Sequence, residues 1–183
     1  VKAQFSNYKE YLLSLEMKAE IAPFTPVHLE RITQLVNKTN QFNLTTFRFT
    51  RSEIESFMVS EDHITLYGKM SDRFGDNGLI SVIVAEVKVE TVDILLWLMS
   101  CRVVGRDMEL ALFDELTAIA RKRGAKRLTG TYIESAKNRM VARHYESLGF
   151  AQVRSSADDR STWSLALNED LLKLNTSIFI NAD

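Results

Sequence analysis

Residues 93–107 read Asp93-Ile94-Leu95-Leu96-Trp97-Leu98-Met99-Ser100-Cys101-Arg102-Val103-Val104-Gly105-Arg106-Asp107, and a helical pattern continues from there to Arg123. The apolar run predicts a buried strand over 92–102. A strand that breaks at Gly105 and turns at once into a helix gathers unpaired backbone N–H groups and the positive end of a helix dipole. Those are the elements of a phosphate or pyrophosphate site. Arg102 and Arg106 flank the turn and would add two cations. Met108, Leu112, Leu116 and Ile119 share one face of the helix, and Gly124 ends it.

Upstream, Phe5, Tyr8, Leu12 and Leu15 recur at helical spacing, which predicts a short helix over 7–17. Residues 19–24 read as a strand. Thr25 caps a helix that has Pro26 at its first position and runs to Asn37, with Leu29, Ile32, Leu35 and Val36 inward. Residues 38–49 are polar and irregular. Thr50-Arg51-Ser52-Glu53 has capping-box spacing and opens a helix to Val59. Strands over 63–70 and 79–89 are joined by Gly75-Asp76-Asn77-Gly78 as a hairpin turn. Downstream come a strand over 126–133, a helix over 137–148 stopped by Gly149, strands over 151–154 and 161–167, and a polar tail. After the first helix the order is β-α-α-β-β-β-α-β-α-β-β. This is an α/β domain whose central mixed, mostly antiparallel sheet is flanked by helices.

With 183 residues and neither internal repeat nor low-complexity run, the chain reads as one domain over 19–168. Residues 1–18 read as a lead-in helix and linker from an upstream domain, and 169–183 as a C-terminal tail. A net charge of -1 exerts no overall pull toward nucleic acid or anionic membranes, so an anion site must be local. One cysteine permits no internal disulfide and points to a cytoplasmic location. The apolar runs fall well short of the roughly 20 residues that cross a bilayer. His28, His63 and His144 are scattered, and no metal site is expected.

The element order and the turn after the fourth strand resemble the GCN5-related N-acetyltransferase (GNAT) fold. Arg102-Val103-Val104-Gly105-Arg106-Asp107 is similar to that family's Gln/Arg-x-x-Gly-x-Gly/Ala signature. The resemblance implies that backbone amides of the turn hold the pyrophosphate of coenzyme A. Asp107 stands where the family carries a small residue. Its charge would repel a pyrophosphate, which favours the singly charged phosphodiester of a pantetheine arm. The family's second element, Asn-x-x-Ala…Tyr…Gly-Phe, is matched at Asn138, Tyr145 and Gly149-Phe150. Asn138 would then contact pantetheine, and Tyr145 would be the general acid for the leaving thiolate. Seven residues apart, the two would share a helix face. Taken alone, Tyr145 reads as a packed core aromatic.

A narrower resemblance covers nearly the whole chain. Residues 37–46 (Asn-Lys-Thr-Asn-Gln-Phe-Asn-Leu-Thr-Thr), 72–80, 99–109 and Lys137-Asn138 are similar to the C-terminal half of FkbH-like proteins. That resemblance implies an acyltransferase domain beside an upstream haloacid-dehalogenase-type phosphatase domain. Together they take a glyceryl unit from 1,3-bisphosphoglycerate and load it as a thioester onto an acyl carrier protein, for methoxymalonyl-type and related biosynthesis. No phosphatase Asp-x-Asp-x-Thr/Val motif occurs in this chain. The cofactor would be coenzyme A or the carrier's phosphopantetheine. Cys101 would relay the acyl group as a nucleophile, or else be a buried thiol without chemistry. Asn40, Gln41, Phe42 and Asn43 would line the acceptor pocket, or else cap a helix and plug the core. The basic residues Arg121, Lys122, Arg123, Lys126 and Arg127 read as a solvated helix end or a carrier-docking face. The expected activity is acyl transfer; the alternatives are acetyl-CoA-dependent N-acetylation and non-catalytic carrier docking.

Overall fold

The computed structural model describes residues 7–181; Phe5, the first residue of the helical spacing, lies outside them. The strands are β1 (Lys18–Ala22), β2 (His63–Asp72), β3 (Gly75–Val87), β4 (Thr91–Met99), β5 (Arg127–Ile133), β6 (Ala151–Ser155), β7 (Arg160–Ala166) and β8 (Phe179–Ile180). They form one sheet in the order β6-β7-β5-β4-β3-β2-β1-β8. β4 with β5 and β1 with β8 run parallel, while the other neighbours are antiparallel. The helices are α1 (Tyr8–Ser14), α2 (Leu29–Lys38), α3 (Arg51–Val59), α4 (Met108–Lys122) and α5 (His144–Ser147).

Helices cover both faces of the sheet centre. Leu29, Ile32 and Val36 of α2 and Ile54 of α3 pack with Val82, Val84, Leu96 and Leu98. Leu12 of α1, Leu112 and Leu116 of α4 and Tyr145 of α5 pack with Ile80, Ile83, Trp97 and Met99 on the other face. Covered on both sides, the middle of β3 and the end of β4 are buried continuously instead of alternating with solvent. A bulge sets the phase of β3. Gly68 pairs with Ser81 and Lys69 with Leu79, so Ile80 is the extra residue.

The capping box at Thr50 forms with both of its bonds. Three expectations are corrected. The β2–β3 turn is Arg73-Phe74, because Asp72 pairs with Gly75. Gly75 through Gly78 lie inside β3, where Gly78, at φ +71°, serves a second register slip. The helix over 137–148 is replaced by a single 3-10 turn (Arg139–Val141) and the four-residue α5. Asn138 draws the chain into that turn by accepting the Ser135 N–H at 2.8 Å. Finally, the limits at residues 18 and 169 are not breaks in packing. Leu12, Leu15, Met17 and Ile178 belong to the same core as β4, and β8 pairs with β1. The Asp114 carboxylate anchors the returning chain, accepting the N–H groups of Leu174 and Asn175 at 2.8 Å each.

Gly130 of β5 lies under the phenol of Tyr145, and a Cβ there would come within 2.6 Å of its Cζ, hydroxyl and Cε1. Gly130→Ala is therefore expected to destabilise by about 1–3 kcal/mol. In urea melts, the Gly130→Ala/Tyr145→Leu pair should lose less than the sum of its single changes. Strict additivity would show that Tyr145 is not the obstacle.

Candidate functional site

β4 passes through Ser100 into a 3-10 turn (Cys101–Val103) and then to Gly105. The turn closes largely on itself. Val103, Val104 and Arg106 donate their N–H groups to the carbonyls of Ser100, Cys101 and Val103 at 3.2, 3.4 and 3.2 Å, and Arg102 N–H reaches Ser100 Oγ at 3.5 Å. Gly105 adopts φ +82°, and a Cβ there would meet the Tyr8 hydroxyl of α1 at 3.2 Å. The Arg106 guanidinium is paired with Asp72, whose side chain is 3% exposed. Asp107 precedes α4 in the left-handed region and makes no side-chain capping bond. Burial pushes the carboxyls of Asp107 and Glu109 above their usual range, and the Asp107 charge adds to the effect at Glu109. The positive end of α4 thus faces the chain's own acids. The turn spends four of the amides expected at 102–107, those of Arg102, Val103, Val104 and Arg106, on itself.

Asn138 and Tyr145 do not share a helix face. Asn138 is fully buried and fully bonded. Its Nδ2 donates to the carbonyls of Asn43 and Ile133 at 2.9 Å each, and its Oδ1 accepts from Ser135 N–H at 2.8 Å and the Tyr132 hydroxyl at 3.3 Å. That uses both amide donors and both lone pairs, so nothing is left for a pantetheine amide. Tyr145 is 1% exposed and packs on Trp97 and Phe150, with its hydroxyl lacking a hydrogen-bond partner. Burial, with the Asp93 charge second, pushes that hydroxyl far above its ordinary range. It is a core aromatic, not a general acid open to a thiolate. Residues 42–45 lie between β4 and β5 on the same route, bridging Asn43 to Leu98. The residues present therefore do not fit a coenzyme A or pantetheine arm running from the turn past Asn138 to Tyr145.

Cys101, by contrast, is exposed. It lines a cavity of about 490 Å³ between α2 and the end of β4, together with Arg31, Lys38, Asn40, Gln41 and Arg102. The lining carries three cations and no carboxylate. Phe42 forms part of the wall and is 6% exposed, stacking edge-on against His144 with centroids 5.2 Å apart. Asn43 is wholly buried; its Oδ1 accepts the N–H groups of Thr45 and Thr46 at 3.4 and 2.9 Å, which fixes the turn. Arg48 holds the segment to α2 by donating to the carbonyls of Val36 and Thr39 at 2.6 and 2.9 Å and to the Asn40 side chain. Of the expected acceptor residues, the cavity gathers Asn40, Gln41 and Phe42, while Asn43 is structural. Arg31 and Lys38 join them from α2, which extends one residue past the expected end at Asn37 to take in Lys38. The basic stretch is partly tied down, since Arg121 and Arg123 donate to the carbonyls of Asn168 and Glu61 and Lys126 pairs with Glu90.

No protein-family model matches the chain, and no curated protein matches it in sequence. Solved structures do match. The ribosomal-protein-S18-alanine N-acetyltransferase of Escherichia coli is 15% identical, with a TM-score of 0.61 over 84% of this chain and 99% of its own. The GNAT domain of S. lividans PAT is 16% identical, with a TM-score of 0.63 over 80% of this chain and 89% of its own. The PaiA N-acetyltransferase of Thermoplasma acidophilum, solved in complex with coenzyme A, is 15% identical, with a TM-score of 0.60 over 81% and 99%. This chain has the GNAT fold.

His144, wedged edge-on against Trp97 with centroids 4.4 Å apart, has its pKa pushed down to about 3 by burial. A base depressed in the folded state stabilises the fold above its unfolded pKa near 6.5, and that stability drains as pH falls toward 3. Stability in urea should fall by up to about 1.4 kcal/mol per pH unit below 6.5 from this group. His144→Gln should flatten that slope; an unchanged slope would assign it to other groups.

Proposed function

We propose that this chain is the acyltransferase-fold domain of an FkbH-like protein and that it exchanges a thioester at Cys101. The observation that carries the reading is one exposed thiol in a cavity rimmed by Arg31, Lys38 and Arg102. The cations attract a phosphorylated acyl donor to the one thiol in the cavity. The resemblance of residues 37–46 and 99–109 to FkbH-like proteins supports a glyceryl group from 1,3-bisphosphoglycerate as the cargo. In the first step Cys101 Sγ attacks the acyl carbon; the C–S bond forms, the C–O bond to phosphate breaks, and phosphate departs with the electron pair and takes up the proton the thiol gives up. In the second, the thiolate of an acyl carrier protein attacks that thioester and Cys101 leaves as a thiolate. Thiols titrate near about 8.5, so the exchange needs no buried acid such as Tyr145. Removal of the remaining phosphate would belong to a haloacid-dehalogenase-type phosphatase partner domain. The cationic mouth, more than the partly tethered 121–127 stretch, suits an acidic carrier.

Incubation with the acyl phosphate should raise the intact mass by one acyl group, mapped by peptide sequencing to Cys101. Cys101→Ala should lose the adduct and slow transfer to the carrier by about 10²-fold or more. Amine acetylation from acetyl-CoA that is indifferent to Cys101→Ala would instead favour an N-acetyltransferase.

A further inference from the structure

β4 and β5 pair from Thr91↔Arg127 to Ile94↔Gly130 and then diverge, leaving Leu95–Met99 and Thr131–Ile133 as two edges of a fork. An open fork in a sheet offers backbone donors and acceptors to any extended amide-bearing ligand. Here those groups are already taken by residues 42–45. Leu44 N–H donates to the Trp97 carbonyl at 3.2 Å, and Met99 N–H to the Phe42 carbonyl at 2.9 Å. Across the fork, Ile133 N–H donates to the Leu44 carbonyl at 2.9 Å. The Thr45 hydroxyl reaches the Leu95 carbonyl at 3.5 Å. Asn138 ties the two sides together through the carbonyls of Asn43 and Ile133. The side chains match the backbone, since Phe42, Asn43, Leu44 and Thr45 are at most 6% exposed.

We infer that residues 42–45 are a permanent strand insert that splices β4 to β5 and seals the fork against a thiol cofactor. The segment is anchored at both ends, by Asn43 Nδ2 to the Thr39 carbonyl at 3.1 Å and by Arg48 to the carbonyls of Val36 and Thr39. Thr46, at φ +57°, turns the chain out of the fork. A pantetheine arm could enter only by stripping these backbone bonds and ejecting Phe42 and Leu44 from the core. Acyl chemistry in this chain must therefore take place on the rim and not inside the sheet. The inference stands whether or not Cys101 carries an acyl group.

Amide-resolved hydrogen exchange tests it on the intact chain, with and without millimolar coenzyme A, beside calorimetric titration with coenzyme A and acetyl-CoA. The amides of Leu44, Met99 and Ile133 should exchange within about ten-fold of the core amide of Ile83 and should not respond to coenzyme A. Binding heat that leaves these three amides unmoved also supports a sealed fork, with the cofactor held elsewhere. Exchange at unprotected rates, or a saturable change at these amides on adding coenzyme A, overturns the inference. In Asn138→Ala, exchange at Leu44 and Ile133 should accelerate by about ten-fold or more. Acyl transfer plays no part in these readouts, so failure here and failure of the Cys101 mechanism are separable.

Discussion

β4 and β5 part after Ile94 and Gly130, and a sheet that opens in its middle must find partners for the backbone groups along both edges. A buried, unpaired peptide group costs as much as a lost hydrogen bond, so a fork must be filled by water, by a ligand or by the chain. In this protein the chain fills it. Residues 42–45 take the β4 edge and the Ile133 N–H of β5, Asn138 takes the Ile133 carbonyl, and the Tyr145 ring lies over Gly130 at the apex. The two segments that resemble family signatures, 37–46 and Asn138 to Phe150, are spent on one another. Their residue types read as binding groups because amides and a phenol serve equally well to close a gap between strands.

The same substitution of self for ligand occurs at α4. A helix N-terminus is stabilised by negative charge whatever its source. Glu109 on the first turn and Asp107 just before it supply that charge, Asp72 answers Arg106, and Tyr8 of α1 covers Gly105. The price is visible in the burial of Glu109, whose Oε2 has no hydrogen-bond partner and whose carboxyl is held above its ordinary range.

Local grammar was legible in the sequence, and long-range pairing was not. The strand–Gly–helix stretch at 93–123, the capping box at Thr50 and the order of elements are set by neighbours a few residues apart, so periodicity and capping chemistry expose them. The Asn138–Asn43 bond spans 95 residues and the Arg106–Asp72 pair spans 34, and no local pattern encodes either. Asn138 to Leu148 has helical periodicity, but side-chain bonds at Asn138 outcompete the helix at its start. β8 is two residues long, too short to show alternation, and exists because β1 offers it an edge. At the site, Cys101 and Arg102 were found through the turn. Arg31 escaped because a cation on an amphipathic helix looks like solvent-facing surface until the partner element is placed, and Lys38 because it falls at the start of the polar stretch 38–49.

Sealing the fork moves the reactive position outward. With the sheet interior occupied, the thiol that a ligand can reach is Cys101, one residue past the Ser100 that leaves β4. Ser100 N–H donates to the Ile80 carbonyl at 2.7 Å, which holds the strand end against β3 and fixes where the thiol projects. Arg48 satisfies the last carbonyls of α2, and Lys38 sits in that last turn, where the helix dipole favours a cation. Arg31, one helical face back, leans on the Leu79 carbonyl at 3.4 Å. Arg48 therefore fastens the 39–48 connection to the same end of α2 that carries Lys38, and Phe42 of that connection forms part of the cavity wall. Plug and pocket are two faces of one connection, and Phe42, buried in the first, walls the second.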